Sequence, residues 1–104
     1  MGQLEDNIAK AEGFLARFAR DGVRNHIAGE AVGAADGSTF ETISPVDLKP
    51  LAKVAHGKAA DIDRAAKAAK AAFPAWAAMP GDQRKKLLHR IADAIVARAE
   101  EIAF

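Results

Sequence analysis

The sequence predicts an α+β chain, mostly helical as isolated: an amino-terminal helix, small antiparallel strands, then two carboxy-terminal helices. Three observations carry this. Apolar residues recur at steps of three and four over 1–20 and again from Ala59 onward, the period of a helix with one buried face. Between 23 and 57 that period is lost, and short runs rich in β-branched and aromatic residues stand between Gly, Pro, Asn and Asp. Finally, 26 of the 52 hydrophobic residues are alanine, so helix formers dominate while the material for a core is thin.

The first helix is expected over Met1 to Arg20. Leu4, Ile8, Ala11, Leu15 and Phe18 share one face, and Glu5, Asp6, Lys10, Arg17 and Arg20 lie off it. Gly13 weakens this helix, and Asp21-Gly22 ends it. From Asn25 to Glu30 a short hairpin turns at glycine. Ala34 to Ser38 is a loop around Asp36-Gly37, and Thr39 to Ile43 reads as a strand stopped by Ser44-Pro45. Leu51 to His56 reads as a further strand closed by Gly57. These strands make at best a small antiparallel sheet, marginal alone.

The stretch Ala59 to Trp76 is the organising element. Ile62, Ala65, Ala66, Ala69, Ala72, Phe73 and Trp76 form its stripe, with Arg64, Lys67 and Lys70 outside it. Asp61 and Asp63 fall in the first turn, where negative charge suits the positive end of the helix dipole. Pro74 is expected to kink or end this helix near Phe73, since it lacks an N–H and clashes with the carbonyl of Lys70. After Met79-Pro80-Gly81-Asp82, a single long helix is expected over Gln83 to Ile102, with Leu87, Leu88, Ile91, Ile95, Ala99 and Ile102 inward. No stop signal follows, so the natural protein is expected to continue past Phe104.

Length fits one small domain or a piece of a larger one. Net charge is +1, which gives no electrostatic footprint for nucleic acid or an anionic membrane. There is no cysteine, hence no disulfide, thiolate metal site or thiol nucleophile. No apolar run reaches membrane-spanning length and no basic, then apolar, leader opens the chain; the expectation is a cytoplasmic protein.

Chemistry-bearing motifs are few. No glycine pair is spaced as G-x-G, so neither a dinucleotide fingerprint nor a phosphate loop is present. His26, His56 and His89 are thirty or more residues apart, and Ser38 and Ser44 sit outside any nucleophile elbow. The run Arg84-Lys85-Lys86-Leu87-Leu88-His89-Arg90 reads as a solvated helix face rather than a nucleic-acid patch, because Asp82, Asp93, Glu100 and Glu101 share the region. No catalytic and no cofactor-binding residue is assigned.

The order of pieces carries more than any one of them. A short strand ending in Gly29-Glu30 is followed by TFETISP, LAKVAHG, DIDRAAKAAKAAFPAW and then R-x-x-L-L-x-R-I-A-D-A-I. Over Asn25 to Phe104 this resembles the amino-terminal region of the NAD(P)-dependent aldehyde dehydrogenase superfamily. Where that family usually has Asn-Pro after its second strand, this chain has Ser44-Pro45, and serine makes some of the same local backbone bonds. The first helix leading into NHIAGE looks most like the subgroup acting on 5-carboxymethyl-2-hydroxymuconate semialdehyde, in aromatic catabolism.

The resemblance implies an α/β parent. In it, 1–22 would be a helical extension and 23–104 the start of the cofactor-binding domain, with strands over 23–57 and helices over 60–104. The parent would oxidise a small-molecule aldehyde to an acid with NAD or NADP, as a homodimer or homotetramer with no nucleic-acid or membrane partner. The family's catalytic residues lie downstream, so this chain alone is expected to be inactive. The resemblance also places a monovalent cation, Na or K, on the backbone carbonyls of Thr42 and Ile43, completed by a ligand beyond Phe104. The competing reading is a free-standing helical module that docks a partner protein on the alanine-rich face of Asp61 to Trp76.

Overall fold

A computed structural model describes residues 2–104. The helix α1 spans Gln3–Asp21, so its expected first residue, Met1, lies outside the described residues. Two hairpins follow: β1 (Asn25–Ile27) with β2 (Glu30–Val32), and β3 (Thr39–Ile43) with β4 (Pro50–Ala55). The helices α2 (Ala59–Ala78), α3 (Gly81–Ala97) and α4 (Ala99–Ala103) complete the chain. It divides into two compact units, one ending at Ala69 and the other running Lys70–Phe104.

In the first unit, α1 packs against β4. Gly22 ends the helix with φ +69° and ψ −173°, its N–H donating to the Phe18 carbonyl at 2.8 Å. The chain then runs beside β4: Val23 N–H donates to the Lys53 carbonyl and Ala55 N–H to the Val23 carbonyl, each at 2.8 Å, a parallel bridge Val23↔Val54. The sheet expected as one is therefore two antiparallel pairs, with β4 flanked by β3 and by this bridge.

The first hairpin turns at Ala28-Gly29, with φ of 55° and 81°. Positive φ at both central residues marks the turn whose twist matches the strands. In the second hairpin Ser44 ends β3 as expected, its hydroxyl accepting Val46 N–H at 3.3 Å. The buried apolar residues are Ala34, Ala52 and Ala55, and no large side chain is fully buried among the described residues. The core is as thin as the composition implies. The inward positions of α1 are half-buried Asn7, Ala11, Phe14 and Arg17, while Leu4, Ile8, Leu15 and Phe18 of the expected stripe stay exposed.

Two expectations need correction. The helix α2 does not end at Phe73; it runs through Pro74 to Ala78. A proline costs a helix one backbone bond but does not compel it to stop, and four more residues propagate beyond it. The helix expected over Gln83 to Ile102 is two: Arg98, at φ −113° and ψ 21°, separates α3 from α4. Its guanidinium is paired with Glu101 at 2.9 and 2.7 Å, one turn on. Because Pro74 leaves the Lys70 carbonyl without its helical donor, Pro74→Ala is expected to stabilise the chain by about 1–3 kcal/mol, read as a higher urea midpoint with more helical circular dichroism.

Candidate functional site

Local chemistry concentrates where the loop after β2 meets the start of α2. Lys58 is the residue just before α2, and Asp61 is its third helical residue. A carboxylate at that position reaches back to the backbone donor left over at the helix start. Asp61 Oδ2 accepts Lys58 N–H at 3.0 Å, and Oδ1 accepts both Ala35 N–H and the Arg64 guanidinium at 2.9 Å. The side chain is buried, at 5% exposure. These bonds, the Lys58 N–H foremost, hold its carboxyl below the usual carboxylate range against the opposing effect of burial.

Beside it, Asp36 accepts the Ser38 N–H at 2.9 Å and the Ser38 hydroxyl at 2.7 Å, and is paired with the Lys58 ammonium. Lys58 also donates to Ser38 Oγ at 3.0 Å. Chiefly through Lys58, then Ser38, the Asp36 carboxyl is pushed far below its ordinary value. This holds the Asp36-Gly37 turn against the end of β4, where the Ser38 carbonyl also accepts His56 N–H at 2.9 Å. Ser38 gives its proton to a carboxylate already occupied by an ammonium. These bonds tie the Asp36-Gly37 turn to the start of α2 through Ser38 and Lys58.

Thr42 and Ile43 lie at a register shift. Thr42 pairs with Ala52 and Ile43 with Pro50, which leaves Leu51 as the extra residue. Bulges re-aim the backbone at strand ends, and Pro50 has no N–H to offer the Ile43 carbonyl. Carbonyl oxygens are the donor type a hard cation takes. Among the described residues there is no group of three or more His, Cys, Asp and Glu able to hold a metal. The three histidines stand outside any such cluster among the described residues. His56 instead packs edge-on against Phe40, with ring centroids 5.7 Å apart. No helix of the described residues is long and apolar enough to cross a membrane.

Sequence reasoning placed Asp61 at the helix dipole and missed its bond to Ala35. The available signal was an acid at the third helical position, half of a capping box.

The match to known proteins covers this whole region. Residues 32–104 match the family model described as the aldehyde dehydrogenase family. Among curated relatives, the NADP/NAD-dependent aldehyde dehydrogenase PuuC of Escherichia coli (strain K12) is 46% identical over 82 residues, covering 77% of this chain and 17% of that protein. The 2-hydroxymuconic semialdehyde dehydrogenase of Pseudomonas sp. (strain CF600) is 39% identical over 80 residues, 76% of this chain and 16% of that one. Among solved structures, HpcC from Thermus thermophilus superposes with a TM-score of 0.86 at 37% identity, over 88% of this chain and 18% of that one. The chain thus spans less than a fifth of the length of each of these relatives.

Proposed function

The chain belongs to the aldehyde dehydrogenase family, and from that premise we propose that it is the amino-terminal segment of an NAD(P)-dependent enzyme oxidising an aldehyde to a carboxylic acid. The observation that carries this is the family match over 32–104 joined to a backbone that superposes on HpcC over 88% of the chain. When bound, NAD or NADP accepts the hydride. A thiolate attacks the aldehyde carbonyl, and water releases the acid. This chain has no cysteine, so that thiolate belongs to another part of the enzyme.

The residues present do structural work in this reading. The region 23–104 opens the cofactor-binding domain and 1–22 is a helical extension. Asp61, Lys58 and Asp36 lock the loop after β2 to the start of α2. The Thr42 and Ile43 carbonyls contribute to a Na or K site, a reading supported by the bulge and by Pro50 opposite Ile43. The substrate we propose is 5-carboxymethyl-2-hydroxymuconate semialdehyde. The likeness to a relative named for 2-hydroxymuconic semialdehyde supports it. The enzyme is a cytoplasmic homodimer or homotetramer in this reading.

The test is NADH production with that semialdehyde. The 104-residue chain alone is expected to give none, and the longer protein to turn over. Aldehyde-dependent NADH from the chain alone would overturn the assignment of catalysis to other residues. Turnover of simple aliphatic aldehydes but not the semialdehyde by the longer protein would overturn the substrate.

A further inference from the structure

We draw no further inference here: the strongest candidate, the cavity of about 210 Å³ lined by residues of β1 and of the start of α2, among them Asn25, Ile27, Gly57, Asp61 and Ile62, belongs to the Asp61 site already described, and the one polar atom beside it without a partner among the described residues, Asn25 Nδ2, is covered by the chain's own atoms.

Discussion

Gly22→Ala is expected to destabilise the first unit by roughly 2–4 kcal/mol, a large share of what a small domain has. Two independent obstacles meet at this residue. Its φ of +69° with ψ of −173° lies in a region open essentially to glycine alone. A Cβ built there would also stand 2.8 Å from the Lys53 carbonyl oxygen. That oxygen is backbone in a paired strand and already accepts Val23 N–H, so it cannot swing aside as a side chain would. Relief requires α1 and β4 to part, and the bridge through Val23 is lost with them. Gly13→Ala is the control. It lies inside α1 with nothing within 4 Å of its Cβ position, and should stabilise by about 0.5–1 kcal/mol. Urea midpoints of the two variants, with hydrogen exchange at Val23 N–H, decide the matter. Equal midpoints would mean that the close approach at Lys53 does not hold the unit together.

Gly22 also shows how much of the fold could be read in advance. Its place as a helix stop followed from composition, but the carbonyl pressed against it belongs to Lys53, far along the chain. The same division runs through the chain. The turn at Ala28-Gly29 and the strand Thr39–Ile43 were legible because turn chemistry and β-branching are local. The face of α1 that packs was not. Periodicity finds the apolar stripe Leu4, Ile8, Ala11, Leu15 and Phe18, but only a neighbouring element decides which stripe is covered; Ala11 of that stripe is half-buried, and its half-buried neighbours Asn7 and Phe14 lie to one side. Pro74 was read as a kink or an end because the rule for proline weighs one lost bond, while the helix gains from each residue that continues it. At the candidate cation site, Thr42 and Ile43 followed only from resemblance; the bulge that displaces Leu51 depends on pairing no local pattern states.

Replacing Asp61 should lower the melting temperature on the order of 5 °C at neutral pH, and the part of the loss that comes from its charge should vanish in acid. Its two oxygens hold three donors from separate places: Lys58 N–H at the start of α2, Ala35 N–H from the loop after β2, and the Arg64 guanidinium. Asp61→Ala leaves the first two without acceptors in a part-buried setting. Asp61→Asn keeps the shape but turns an amide NH₂ toward a donor, so it should recover only part of the loss. The pH dependence tests the charge itself. Asp61 and Asp36 both titrate lower when folded than the unfolded carboxylate value of about 3.9. A depressed folded pKa gives stability that is complete above the unfolded value and drains away as pH falls through the folded one. The wild-type melting temperature should therefore be flat in these groups above about pH 5 and fall below about pH 4. Once protonated, Asp61 resembles its own amide, and the gap between wild type and Asp61→Asn should close. A gap that stays constant down to low pH would mean that the side chain acts by packing, and the carboxylate would lose its place as the link between the loop after β2 and α2.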